Sequence, residues 1–224
     1  MSLFPNTPDK TFKQFVYDRF SQVGKAFSSP HRLVVLNILC QSEHTVESLA
    51  RHAGLTVANV SRHLQLLRGV NLVRQRKEGK FVFYSLADEA TCRFFTSFRD
   101  FAYSRMTEVQ TAMAAVAESP TRRSIITLED LKSRLPDESL LLLDVRPVEE
   151  FEHSHLPGAV SIPLDQLSTH IDTLPRDKEI IAYCRGLFCI LADQAVNLLT
   201  TQGFEARRLD VGLVDWREAG LPVT

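Results

Sequence analysis

The residues best suited to chemistry lie in Tyr183-Cys-Arg-Gly-Leu-Phe-Cys-Ile-Leu-Ala192. Cys184 follows an apolar run, Glu179 to Tyr183, that reads as a short buried strand. It precedes a helical pattern of Ala192, Ala195, Val196 and Leu199. A thiol at the junction of a strand and a helix N-terminus faces backbone N–H groups and the positive end of the helix dipole. Both favour a thiolate or an anion carried on it. Arg185 adds positive charge, and Gly186 lets the loop curl without steric penalty. Taken alone, the loop is equally compatible with a plain buried cysteine, the commoner fate of a free thiol.

The elements that position this loop belong to the second half of the chain. Leu140 to Val145 is an apolar run of the kind buried on both faces of a sheet. Shorter strands are expected at Ala159-Val160, Glu179–Tyr183 and Ala206–Leu209, alternating with helices. Thr127 is expected to cap the first of those helices, with Asp130 reaching back to it. This alternation predicts an α/β domain with a mainly parallel sheet, whose ligands sit beyond the C-terminal strand ends, where Cys184 falls.

The 224 residues suffice for two ordinary domains, and 44% hydrophobic with 24% charged residues is a soluble globular composition. Met1–Lys10 shows no signal-peptide pattern, and no apolar run approaches a membrane span. Four cysteines (Cys40, Cys92, Cys184, Cys189) are too few and too spread for a secreted disulfide scaffold, so a cytoplasmic protein with reduced thiols is expected. The formal charge of −1 conceals an asymmetry. Residues 1–120 hold 15 Lys+Arg against 10 Asp+Glu; residues 121–224 hold 11 against 17. A basic half and an acidic half suggest different partners, nucleic acid among them for the first. The polar, proline-bearing stretch Glu118–Ser124 marks the boundary, giving domains at 1–118 and 126–224 with a linker at 119–125.

In the first half, Phe12, Phe15, Val16, Phe20 and Val23 recur at helical spacing over residues 8–26, an aromatic face for the core or for a partner subunit. Pro30 opens a second, apolar helix through Cys40. Thr45 caps a short helix, Val46 to Ala53; a turn at Gly54-Leu-Thr56 leads into a third, Val57 to Arg68. Val57, Val60, Leu64 and Leu67 are expected to face inward, leaving Ala58, Asn59, Ser61, Arg62 and Gln65 outside. Helix, glycine-bearing turn and helix of these lengths make a helix-turn-helix. Two strand-forming runs around Lys77-Glu-Gly-Lys80 then predict a β-hairpin bearing Arg74, Arg76, Lys77 and Lys80, a basic wing suited to the DNA backbone.

His31-Arg-Leu, Val57-Ala-Asn-Val-Ser-Arg-His-Leu-Gln-Leu-Leu and Gly79-Lys-Phe-Val-Phe-Tyr-Ser-Leu resemble the ArsR-type winged-helix repressors over about residues 10–115. The resemblance implies a homodimer pairing through its first and last helices. The last would run from Asp88 to Ala117, with Phe94, Phe95, Phe98, Phe101, Ala102, Met106, Val109 and Met113 on its apolar face. It also implies a pseudo-palindromic double-stranded operator contacted by Thr56, Ala58, Asn59, Ser61, Arg62 and Gln65, with Arg76, Lys77 and Lys80 along the wing.

Metal-binding members of that family use a Cys-x-Cys pair or a spaced Asp/His set on the last helix. Residues 40–50 hold one cysteine and residues 88–117 no histidine. No metal is therefore expected, and His31, His44, His52 and His63 read as surface or capping residues. Some members sense reactive sulfur by linking a second-helix cysteine to one of the last helix. Cys40 and Cys92 are candidates for that redox pair, although two buried structural thiols are the simpler expectation.

In the second half, Asp144-Val-Arg-Pro-Val-Glu-Glu-Phe151, His155-Leu-Pro-Gly-Ala159, Ile162-Pro-Leu164 and Trp216-Arg-Glu-Ala-Gly-Leu-Pro222 resemble a single rhodanese domain in order and register. The resemblance implies Cys184 as a nucleophile that accepts sulfane sulfur as a persulfide and passes it to a thiol acceptor, with Arg185 and Gly186 shaping the loop. Position 190 is isoleucine, so the Cys-x5-Arg clamp of the related phosphatases and arsenate reductases is missing. Many rhodaneses end the loop in arginine, where this chain has Cys189, either a resolving thiol or a small packing residue. The usual glycine pair is Val211-Gly212. Asp144 and Arg146 could orient the loop; a purely structural pair is the preferred expectation.

The reading is a multidomain chain: a mainly α winged helix-turn-helix domain followed by an α/β rhodanese-like domain. It predicts a cytoplasmic, dimeric DNA-binding regulator that senses or transfers sulfane sulfur, with neither cofactor nor membrane. An uncoupled sulfurtransferase and a metal- or redox-responsive repressor with a non-catalytic rhodanese domain are the alternatives.

Overall fold

The computed structural model describes residues 9–117, 125–135 and 137–224. The chain forms two compact units, Met1–Thr96 and Ser97–Thr224. The first begins with α1 (Asp9–Phe27) and α2 (Pro30–Leu39), followed by β1 (His44–Thr45), α3 (Val46–Ala53) and α4 (Val57–Gly69). The hairpin β2 (Val73–Glu78) and β3 (Phe81–Leu86) comes next, then the start of α5 (Glu89–Arg105). Thr45 and Thr56 cap α3 and α4, each accepting the N–H three residues on, from Ser48 and Asn59, at 3.2 Å. Val35, Leu36, Ile38, Leu49, Val60, Leu64 and Leu67 close the core between α2, α3 and α4.

Several expectations change here. Val57 is 46% exposed, because it opens α4 and projects before the helix meets the core. His63 and His44 are buried, not superficial. His63 lies on the inner face between Val60 and Leu64, and burial together with Arg32 and His31 pushes its pKa down, favouring the neutral ring. His44 sits on β1, an unexpected two-residue strand paired with Tyr84 and Phe83. Its ring bonds Ser42 Oγ at 2.9 Å and Ser48 Oγ at 3.0 Å.

The second unit takes the rest of α5, then α6 (Thr107–Ala117), β4 (Ile125–Ile126), α7 (Leu128–Arg134), β5 (Leu140–Asp144), α8 (Val148–His153), β6 (Val160–Ser161) and α9 (Leu164–His170). After a 3-10 turn come β7 (Glu179–Tyr183), α10 (Leu191–Thr201), β8 (Ala206–Leu209) and α11 (Leu213–Glu218). All five strands run parallel in the order β4-β8-β7-β5-β6. Side chains alternate across β7. Ile180, Ala182 and Cys184 join the core under α9 and α10, while Ile181 and Tyr183 join Leu131, Leu209 and Trp216 on the other face. Thr127 and Asp130 form the expected reciprocal cap, at 3.1 and 2.7 Å.

The expected helix from Asp88 to Ala117 is two helices. At the break the Gln110 side chain donates to the Tyr103 carbonyl at 2.9 Å, while the Gln110 N–H turns to Met106 O. The compact units also part earlier than the expected linker, which lies outside the described residues except for Ile125. The C-terminal half of α5 meets α11 and the loop that follows β7. Arg99 donates to Asp215 at 3.0 Å, and the Tyr103 and Phe188 rings meet edge to face at 5.5 Å.

Candidate functional site

The loop Cys184–Ile190 leaves the C-terminal end of β7 and enters α10. Cys184 keeps the inward alternation of the strand and is 2% exposed, whereas Cys189 is half-buried; both thiols are free. The Cys184 sulfur lies 3.7 Å from the Cys189 carbonyl oxygen and within hydrogen-bonding range of its sulfur. Burial pushes the Cys184 pKa up. The Cys189 thiol is instead pulled down to about 6, first by the Cys184 thiol and then, against its own burial, by N–H donors from Arg185 and Leu191. Thiolate alkylates and thiol does not. Cys189 should therefore be modified before Cys184 by iodoacetamide, at a rate that is full at neutral pH and falls on acidification through about pH 6. Peptide-mapped alkylation across pH checks this.

Two glycines shape the loop. Gly186 is buried at φ +105°, and a Cβ there would meet Asp215 Oδ2 at 2.8 Å. Gly212 presses against the same peptide: its Cβ would lie 2.5 Å from both Arg185 C and Gly186 N. The Gly212 N–H donates to Asp215 Oδ2 at 2.9 Å, so Asp215 joins this contact to Arg99 on α5.

Arg185 was expected to bring positive charge to the thiols. Its guanidinium forms a paired contact with the fully buried Glu150, Nε lying 3.0 and 3.1 Å from the two carboxylate oxygens. Glu150 also lies 3.9 Å from Arg146, which pairs with Asp144 at 2.6 Å and donates to Ser154 O at 2.8 Å. The result is a buried chain, Asp144–Arg146–Glu150–Arg185, in which Glu150 is the member the sequence did not single out. Arg208 was missed too. It is fully buried on β8, and its Nη2 donates to Gly186 O and Leu187 O at 3.0 and 3.1 Å. Its charge favours the Cys184 thiolate against the effect of burial. No sequence signal marked it, because it reaches the loop from the neighbouring strand.

The helix-turn-helix candidates fall together on one exposed surface. Thr56, which caps α4, and Ala58, Asn59, Arg62 and Gln65 on it are exposed, and Ser61 is half-buried. Lys77 and Lys80 are exposed at the hairpin tip. Arg76 is exposed but paired with Glu43 and Glu78, so its charge is less available than expected. Cys40, at the end of α2, and Cys92, on α5, form a disulfide with Cα atoms 5.6 Å apart. The reading of two independent structural thiols is thereby corrected; the two segments meet closely enough to be covalently joined.

A winged helix-turn-helix unit is followed in this chain by a parallel α/β unit with a thiol-bearing loop at the end of its central strand. The sequence matches the family described as bacterial regulatory protein, arsR family, over residues 29–75 and the rhodanese-like domain over residues 127–219. It is 38% identical over 211 residues to the HTH-type transcriptional regulator Rv0324 of Mycobacterium tuberculosis, covering 94% of this chain and 92% of that protein. A sulfurtransferase of Allochromatium vinosum is 31% identical over 100 residues, 44% of this chain and 92% of its own length. A solved homodimeric winged helix-turn-helix DNA-binding domain from Mycobacterium bovis is 32% identical, covering 44% of this chain and 90% of that one, with a TM-score of 0.40. The chain belongs to the ArsR family of transcriptional regulators, in a form that carries a C-terminal rhodanese domain. Among the described residues no helix is long and apolar enough to cross a membrane.

Proposed function

We propose that this regulator is a homodimeric repressor whose rhodanese loop receives sulfane sulfur and thereby changes affinity for a pseudo-palindromic operator. The observation that carries the reading is the attachment of α5 to the loop. Arg99 holds Asp215, which holds Gly212 against Gly186, and Tyr103 meets Phe188 within the loop itself. In the family, the last helix of the winged-helix domain is a dimer element, so a loop rearrangement would act on the helix that sets the spacing of the two recognition helices. Exposed aromatic rings support the dimer: Phe12, Phe15 and Phe20 on α1, Phe94 and Phe101 on α5. Asn59, Arg62 and Gln65 would read base edges, with Lys77 and Lys80 on phosphates.

A second reading is favoured by the Cys40–Cys92 disulfide, which places a thiol switch inside the DNA-binding unit itself. Anisotropy titration onto the chain's own promoter region, at fixed salt, separates the two. Treatment of the reduced protein with a polysulfide is expected to shift affinity at least about tenfold, about 1.4 kcal/mol. The Cys184→Ser/Cys189→Ser variant should bind without responding, and Arg99→Ala should take up sulfur yet lose the response. A response lost only in Cys40→Ser would hand the switch to the second pair. Arg62→Ala should weaken binding by about 1–3 kcal/mol if it contacts a base.

A further inference from the structure

Sulfur uptake by Cys184 brings a full negative charge into a buried place. The Cys184 thiol gives its proton to solvent, and the thiolate attacks the outer sulfur of thiosulfate. A sulfur–sulfur bond forms on Cys184, the one in thiosulfate breaks, and sulfite leaves with the electron pair. The persulfide keeps the charge on its outer sulfur. Cys184 is 2% exposed, so little water reaches that charge. Around it stand Cys189 on the loop, Arg185 with its partner Glu150, and Arg208 from β8 with Asp193 of α10 beside it.

Two arginines of this region are already matched by carboxylates. Arg146 pairs with Asp144 at 2.6 Å, and Arg185 Nε lies 3.0 and 3.1 Å from the two oxygens of Glu150. Arg208 is placed differently. It is the register partner of Ala182 in the parallel pairing of β8 with β7, and Ala182 lies in the core beneath α10 that Cys184 also enters. Residues paired across neighbouring strands share a face, so the Arg208 side chain leaves the sheet on the Cys184 side. Its Nη2 donates to Gly186 O and Leu187 O, so two loop carbonyls are tied down by the one cation. Gly186 O also accepts the Cys189 N–H at 3.0 Å, which joins the guanidinium to both ends of the loop. Asp193 Oδ1 is 3.6 Å from Nε, too far for a hydrogen bond. Nε and Nη1 are buried and have no hydrogen-bond partner among the described residues. A fully buried guanidinium with open donors on two nitrogens is costly unless a further anion completes it.

We propose that Arg208 is the residue that balances the charge of the Cys184 persulfide and holds the loop carbonyls in place to receive it. The assignment rests on the reading of this loop as a sulfane-sulfur acceptor and keeps Cys184 as the accepting thiol. Arg208 acts as a positioning residue, from a strand that the loop motif does not include. The push of its charge on Cys184, against burial, agrees with this placement.

The test uses the full-length protein, reduced, with thiosulfate as donor. Trypsin cuts after Lys178 and Arg185, so a mass gain on Glu179–Arg185, trapped with iodoacetamide, reports sulfur on Cys184 alone. The initial rate of loading is followed across pH. Arg208→Met is expected to load at least about tenfold more slowly at neutral pH and to recover as pH rises, because the thiolate forms less readily without the cation. Arg208→Lys keeps the charge but not the fork, and its pH midpoint should stay closer to wild type than to Arg208→Met. Slow loading of Arg208→Met at every pH would mark a disrupted loop and overturn the assignment. Loading at the wild-type rate and midpoint would overturn it as well, leaving Cys184 as acceptor. Wild type that gains no sulfur on this peptide, from thiosulfate or inorganic tetrasulfide, removes the acceptor reading and this assignment with it. Should Arg208→Met fail to fold, Asp193→Asn decides. With the opposing carboxylate gone, the Arg208 charge acts on the sulfur unopposed, and the loading midpoint should fall; an unchanged or higher midpoint overturns the assignment.

Discussion

Gly212→Ala is expected to collapse the thiol loop, losing the preferential alkylation of Cys189 together with any sulfur uptake. The backbone at Gly212, with φ −106° and ψ −178°, is open to any residue, so the effect is one of contact and not of conformation. The added carbon would stand 2.5 Å from Arg185 C and Gly186 N, and 2.8 Å from Arg185 O. All three are backbone atoms, and no rotamer change relieves them. The peptide before Gly186 must retreat, taking Arg185 from Glu150 and Phe188 from Tyr103. Overpacking of this kind costs about 1–3 kcal/mol, and more where the neighbours are main chain. Gly203→Ala is the control. There a Cβ meets nothing within 4 Å, although φ is +83°, so only the conformational cost of about 1–2 kcal/mol applies and the loop should react normally. Thermal unfolding with peptide-mapped alkylation distinguishes the two. A Gly212→Ala protein whose Cys189 reacts as in wild type would contradict the packing argument.

That contact also shows where sequence reasoning reached and where it stopped. Gly212 was visible as the retained half of a glycine pair, but its partner across the loop was not, since closeness of residues 186 and 212 is a product of sheet order. The strands were legible because β5 and β7 are uninterrupted apolar runs and β8 follows a helix at the expected distance. The two-residue strands β1 and β4 carry no period and were not read, whereas β6 lies one residue from the strand expected at Ala159-Val160. On α4 the inward stripe was right at Val60, Leu64 and Leu67 and wrong at Val57, and it missed His63, whose ring occupies the same face. Polarity was taken as a guide to exposure, and the helix phase overrode it. Charge was the least legible quantity. Arg185 favours the Cys189 thiolate as expected, although Glu150 pairs with it; Arg208, twenty-four positions from Cys184, adds its charge at Cys184 unannounced by the sequence.

The buried chain of charges predicts a second large effect. Arg146→Ala should lower the unfolding free energy of the rhodanese unit by about 3–5 kcal/mol, because it leaves the buried Asp144 carboxylate without its guanidinium and takes away one of the two cations beside the buried Glu150. Arg146→Lys should recover little. The native guanidinium bonds Asp144 through Nε and Nη2 and still reaches Ser154 O, a fork that an ammonium group cannot reproduce. Trp216, the single tryptophan of the chain and 1% exposed, lies in this unit and reports its urea unfolding by fluorescence. The same variant bears on the loop, because Glu150 stands between Arg146 and Arg185. Once relieved of Arg146, Glu150 has Arg185 as its cation, and the Arg185 backbone carries one of the N–H groups aimed at Cys189. A shift in the pH midpoint of Cys189 alkylation in Arg146→Ala would therefore show that the buried ion pairs position the thiolate as well as hold the fold.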